Sequence, residues 1–214
     1  PDLAFPGAAE TVEELANLAV ANGVNRLVLL SGRGEEGAQL AEQKVVDSGA
    51  DYTLVRSAFF NQNFSEAFAE TIQHGVLAMP GGDTAEPFLD ADDIADVVTA
   101  ALTDDKHIGQ LYELTGPRLL TIAEAAAALS DAMDRPLQYI PVTAAEYAEG
   151  LIASGFPAEE AMHIAGLISE VLDGRNSYLT DGVERALCRK PRDFAYYAQA
   201  TAATAVWDLA EVRS

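Results

Sequence analysis

The sequence predicts an α/β protein in which a parallel sheet with flanking helices passes into a mostly helical C-terminal part. Three observations predict it. Residues 24–32 (VNRLVLLSG) and 52–56 (YTLVR) are short, continuous runs rich in Leu and β-branched residues, the pattern of strands buried on both faces. Segments with helical spacing alternate with them, and the order helix, strand, helix, strand calls for parallel pairing through right-handed crossovers. Beyond Pro157 the apolar spacing stays helical, interrupted by the turn signals Asp173-Gly174 and Asp181-Gly182, with no persuasive strand.

The first helix is expected from Val12, Leu15, Ala16, Leu18 and Ala19, with Thr11 and Glu14 at capping-box spacing and Asn22-Gly23 as its stop. After strand 24–32 a Gly-rich turn opens a helix over 38–48, ended by Gly49, and strand 52–56 follows. The FFNQNF segment from Phe59 leads into a helix to about Gln73, His74-Gly75 is a turn, and 79–83 (MPGGD) is a loop. In 87–102 a short strand gives way to a helix whose start carries Asp90, Asp92 and Asp93, where carboxylates meet orphan amides and the dipole. Residues 111–116 and 137–142 read as strands and 121–133 as a helix, and Thr121/Glu124 and Thr143/Glu146 repeat the capping-box spacing. No repeat or low-complexity linker divides the chain. It reads as one compact body in which an α/β portion, 1–142, merges into a helical portion, 143–214.

Composition excludes several classes of function. With 214 residues, 49% hydrophobic and 22% charged, the chain is globular and neither disordered nor collagen-like. Thirteen Lys and Arg against 34 Asp and Glu leave a net charge of −21, which repels phosphate backbones and anionic membranes, so neither is an expected partner. The single Cys188 has no disulfide partner, the sequence opens without a basic and apolar leader, and no apolar run reaches about 18 residues. A cytoplasmic location is the expectation.

Gly32-x-Gly34-x-x-Gly37 lies between a strand and a helix, where such a motif can cradle a pyrophosphate on backbone amides. Glu35 and Glu36 place carboxylates inside it, and the next strand ends in Arg56 with no acid for a ribose. The motif therefore reads as an ordinary loop at the ligand edge of the sheet. No Tyr has a Lys four residues on, which removes the Tyr-x-x-x-Lys proton donor and leaves Ser31 as the nearest candidate hydroxyl. There is no G-x-S-x-G, and His74, His107 and His163 lie far apart, so neither hydrolase nor metal chemistry is expected. Arg56, Phe59, Phe60 and Asn63 follow a buried strand. Flat aromatic faces and an amide that both donates and accepts make them binding candidates.

In this order, AVANGVNRLVLLSG, DSGADYTLVRSAFFNQNFSE, PFLDADDIADVVTAALTD, GQLYELTGPRLLTIAEAAAALSDAM and LQYIPVTAAEYA resemble the NmrA-like branch of the atypical short-chain dehydrogenase/reductases. DGRNSYLTDGVERAL and PRDFAYYAQATAATAVW are similar to the C-terminal part of bacterial members, so the resemblance covers most of the chain. It implies a partial Rossmann-like NAD(P)-binding sheet, hydride transfer between NAD(P)H and a small organic substrate, and cofactor contacts at Ser31, Gly32, Arg56, Phe59, Phe60 and Asn63 near the nicotinamide. It also implies that 24–32 matches the family's fifth strand, so the chain is a truncated form of the pattern without its glycine-rich pyrophosphate loop. Ala38 stands where many relatives carry Lys. The isolated chain is accordingly expected to bind NAD(P) weakly or not at all. The rival of the oxidoreductase reading is an NAD(P)-sensing or protein-binding module without catalysis. An open sheet edge beside residues 27–31 is expected to draw a second copy or a partner chain that completes the sheet.

Overall fold

The computed structural model describes residues 7–209. In chain order the elements are α1 (Ala8–Ala21), β1 (Arg26–Gly32), α2 (Glu36–Asp47), β2 (Asp51–Ser57), α3 (Ala69–Gln73), β3 (Val76–Met79), β4 (Ala85–Glu86), α4 (Ala91–Thr103), β5 (Gln110–Leu114), β6 (Leu120–Thr121), α5 (Ile122–Met133), β7 (Gln138–Pro141), α6 (Ala144–Ala153), α7 (Ala158–Val171), α8 (Gly182–Leu187) and α9 (Phe194–Ala202). Short 3-10 turns lie at Asn61–Phe64 and Asp105–His107. Two compact units interleave along the chain: Pro1–Ala58, Ala91–Thr115 and Leu179–Pro191 form one, and Phe59–Asp90, Gly116–Tyr178 and Arg192–Ser214 the other. A linear change of composition cannot reveal this interleaving, because the chain crosses between units after Ala58, Asp90, Thr115, Tyr178 and Pro191.

The first unit is built on a parallel sheet in the order β1-β2-β5. Val55 and Leu54 at the centre of β2 are buried, as a strand covered on both faces requires. Val12 of α1 and Ala41 and Val45 of α2 pack together against Leu27, Leu29 and Tyr52. β1 departs from expectation: its side chains are mostly half-buried and Leu30 is 41% exposed, because among the described residues the strand has one neighbour and not two. The expected capping box at Thr11 is absent. Ala8 is buried and α1 starts there, behind Gly7 at φ 84°, so Thr11 lies inside the first turn and its hydroxyl donates to the Gly7 carbonyl at 3.0 Å.

The second unit centres on aromatic residues. Phe64 meets Phe88 and Phe194 edge-on, with ring centroids 5.5 and 5.3 Å apart, and Ile72, Leu77, Met79, Leu129 and Trp207 close the core around them. β3 pairs parallel with β7, and β4 antiparallel with β6. The helix expected from Phe59 to Gln73 is broken. The 3-10 turn is followed by a bend in which the Ser65 hydroxyl donates to the Gln62 carbonyl at 3.1 Å, and only Ala69–Gln73 is α-helical, since short polar side chains offer the backbone local alternatives to helix. The boxes at Thr121/Glu124 and Thr143/Glu146 are both formed. Hydrogen bonds from the cap hold the Glu124 and Glu146 carboxyls below their ordinary range.

Candidate functional site

The register aligns Ser31, Arg56 and Glu113 in one row across the carboxyl ends of β1, β2 and β5. Paired positions of a parallel sheet direct their side chains to the same face, so three polar groups share one face at the edge where α/β folds bind ligands. On that face α2 carries the buried Glu42. Arg56 donates from Nε and Nη2 to its two carboxylate oxygens at 2.8 and 2.6 Å, a bidentate charge-assisted pair. Arg33, just past Gly32, is also buried and donates from Nε to Glu113 Oε1 at 2.6 Å. The Ser31 hydroxyl is buried at the same end.

The glycine-rich loop turns between Gly32 and Glu36 as the sequence indicates, but its interior is taken. A Cβ built on Gly32 would overlap the Glu35 carboxylate, which lies directly over the glycine. Glu35 is the extended residue before α2, and with Glu36 it supplies the negative charge that a helix N-terminus favours. The loop therefore does not fit a pyrophosphate: an anion there would meet a carboxylate where it needs a donor. Ala38, on the next turn of α2, is fully buried.

In the second unit Phe59 packs on the core, its ring edge-on to Phe88 at 5.7 Å and stacked with Phe68 at 6.4 Å. Phe60 is half-buried and forms an isolated parallel bridge with Leu89. Gln62 donates from Nε2 to Asp90 Oδ1 at 2.8 Å. Asn63 is half-buried, and its side chain forms no hydrogen bond among the described residues. Asn61, which the sequence reading did not single out, is fully buried with neither amide atom hydrogen-bonded.

Sequence reading also missed Glu42, Arg33 and Glu113. For Glu42 a signal existed: Ala38, Ala41, Glu42 and Val45 fall at i, i+3, i+4 and i+7, so a carboxylate occupies the apolar stripe of its helix. Burial shifts titratable groups elsewhere, pushing Tyr197 up to about 12 and His107 below its ordinary value. Among the described residues no group of three or more His, Cys, Asp or Glu is placed to hold a metal ion, and no helix is long and apolar enough to cross a membrane.

The model of the NmrA-like family matches residues 40–198. This chain belongs to that family. The NAD(P)H azoreductase of Xenophilus azovorans is 34% identical to the NmrA-like chain over 199 residues, 88% of this chain and 69% of that protein. The Escherichia coli quinone oxidoreductase QOR2, in a structure complexed with NADPH, superimposes with a TM-score of 0.78 at 23% identity, covering 90% of this chain and 71% of that one. NmrA, a negative transcriptional regulator solved in complex with NAD, gives 0.63 at 19% identity over 89% and 68% of the two chains. At these identities the two structures speak to the fold, a Rossmann-like α/β arrangement of parallel sheet and flanking helices.

Proposed function

We propose that this NmrA-like chain serves the NAD(P)H-dependent reduction of a small organic acceptor. The observation that carries the reading is the 34% identity, sustained over 88% of the chain, to a protein named as an NAD(P)H azoreductase. In such a reaction the reduced nicotinamide supplies a hydride. The roles we assign to the chain's own residues are binding and orientation. In the first unit Ser31 and Gly32 are the proposed contacts of the nicotinamide end, and Arg56, held by Glu42, fixes the end of β2 against α2. In the second unit Phe60 and Asn63 are the proposed contacts, Asn63 because its amide has no partner among the described residues to give up, while Phe59 supports them from the core. A cytoplasmic location suits the reading, since the chain's one cysteine makes no use of an oxidising compartment.

The second reading, an NAD(P) sensor or protein-binding module without turnover, is favoured by one observation. With Ala38 buried on α2 and no Tyr-x-x-x-Lys pair, no ionisable proton donor is assigned. A graft separates the two. This chain replaces the matched stretch of the Xenophilus azoreductase, and NADPH oxidation is followed with an azo dye or a quinone as acceptor. Acceptor-dependent oxidation supports the oxidoreductase reading. A folded graft that binds NADPH and reduces neither acceptor overturns it in favour of the sensor.

A further inference from the structure

In the second unit α5 and α9 pack against each other, and a cleft of about 430 Å³ opens where both helices end. That volume lies in the range of small-molecule sites, about 300–1,000 Å³. Ala132, Ala202 and Ala203 are too small to fill it, and Met133 adds a thioether, an adaptable wall that favours aromatic rings. Trp207 closes the inner side. It is fully buried, its indole Nε1 donates to the Phe64 carbonyl at 2.8 Å, and its ring meets that of Tyr197 edge-on at 6.3 Å. The polar side chains of the cleft are Asp208 and Gln199, and neither forms a hydrogen bond or ion pair among the described residues. The Ala132 and Met133 carbonyls at the end of α5 accept no hydrogen bond among them either, since Pro136, four residues after Ala132, has no N–H to offer. Both helices thus bring the negative end of their dipoles to a place that already holds a carboxylate. No Lys, Arg or His lines the cleft. Arg135, two residues beyond Met133, has its guanidinium engaged by the carbonyls of Ile72, Gln73 and Trp207 at 3.0, 3.0 and 2.7 Å.

We propose that this cleft binds a small organic cation, a primary ammonium carried on a single aromatic ring. The ring lies against Met133 and the three alanines. The ammonium brings three N–H donors, which match the Asp208 carboxylate, the Gln199 amide oxygen and a free carbonyl at the end of α5. An anion of the same shape would meet a carboxylate and two helix C-termini, and a neutral isostere would leave Asp208 without a counter-charge. The net charge of −21 draws any cation toward the surface without choosing a place on it; the cleft chooses, because it sets apolar walls beside the acid. None of its residues is among those assigned to the nicotinamide, so the proposal stands apart from the oxidoreductase reading.

The test titrates the full 214-residue chain with phenethylammonium, with 2-phenylethanol as the neutral isostere and 3-phenylpropionate as the anion. Calorimetry reads affinity and stoichiometry, and the emission of Trp207, the chain's single tryptophan, reports whether the ligand sits in the cleft. The expected result is one-to-one binding of the ammonium with half-saturation below about 1 mM and a saturable change in Trp207 emission, about tenfold weaker binding of the alcohol, and none of the carboxylate. Asp208→Asn should weaken the ammonium by about tenfold, and Ala203→Leu, which fills the cleft, should abolish binding. Both positions are exposed, so the melting temperature of each variant should stay within about 2 °C of the parent. Asp51→Asn removes the same charge from an exposed position in the other unit and should change affinity less than about twofold. No saturable binding, equal affinity for the ammonium and the alcohol, or equal losses in Asp208→Asn and Asp51→Asn each overturn the proposal.

Discussion

Asn61 is buried with its amide nitrogen and oxygen both unbonded, and a buried polar group in that state costs about 1–3 kcal/mol in desolvation. Asn61→Leu, close in volume and without polar atoms, should therefore raise stability by an amount of that order, read as a higher urea midpoint. A lower midpoint would mean that the amide is bonded in solution. Asn63 differs, being half-buried with no side-chain partner among the described residues, so Asn63→Ala should change the melting temperature little. In the azoreductase graft it should weaken NADPH by about 1–3 kcal/mol if one buried hydrogen bond is lost. A stability loss with unchanged affinity would place Asn63 in the fold and not at the ligand. His107 supplies the pH dependence. It is buried, Nδ1 lies 2.8 Å from the Tyr112 hydroxyl, and Nε2 has no partner. Burial lowers its pKa from 6.5, Lys106 and Arg26 push the same way, and Asp104 opposes them. The native state then favours neutral His107, whereas the unfolded chain takes up a proton near pH 6.5. This contribution to stability is complete above about pH 6.5 and is lost as pH falls through the lower native value. Urea midpoints should drop between pH 7.5 and 5.5 in the parent, and less so in His107→Gln.

At the scale of elements, three Thr-x-x-Glu spacings look alike in the sequence and two act alike in the structure. Thr121→Ala and Thr143→Ala each remove a formed box and should cost about 0.5–2 kcal/mol, whereas Thr11→Ala removes only an intrahelical bond to Gly7 and should cost less. Equal losses at all three positions, measured by thermal unfolding, would contradict that distinction. The difference was illegible in the sequence because it depends on where α1 begins, which the burial of Ala8 decides and no local pattern encodes. The central strands and the main helices were legible, since their periodicity is a local consequence of burial. β3 was not, because four residues behind Gly75 gain strand conformation only by pairing with β7, more than 55 residues on. Gly182 shows the same limit. It looks like a turn residue after Asp181, yet it starts α8, and a Cβ there would overlap the Glu113 carbonyl of β5. Gly182→Ala should thus destabilise despite the better helix propensity of Ala, because the Glu113 carbonyl is backbone of a strand paired with β2 and also accepts from the Thr180 hydroxyl, so it cannot readily move aside.

For the whole molecule, charge and local geometry act together on the cofactor. NADPH is a polyanion, this chain carries −21, and the glycine-rich strand-to-helix loop after β1 is occupied by the Glu35 carboxylate over Gly32. The ligand edge contributes no uncompensated field of the opposite sign, since Arg56 is paired with Glu42 and Arg33 with Glu113. Sequence reading reached the glutamate in the loop but not the two ion pairs, because each partner comes from a different element and pairing across elements leaves no mark in sequence spacing. The isolated chain should therefore show no saturable binding of NADPH in the micromolar range by energy transfer from Trp207 and the tyrosines. Whatever weak association remains should strengthen as salt rises, because screening removes a net repulsion over a Debye length of about 10 Å at 0.1 M. That is opposite to the salt dependence of an anion site built on cations. Saturable micromolar binding that weakens with salt would contradict both points and would make the Gly32 loop a phosphate site, with Glu35 displaced. Glu35→Gln distinguishes the causes: it should relieve the local obstruction and tighten any residual binding while leaving most of the long-range repulsion, and hence the sign of the salt dependence, unchanged.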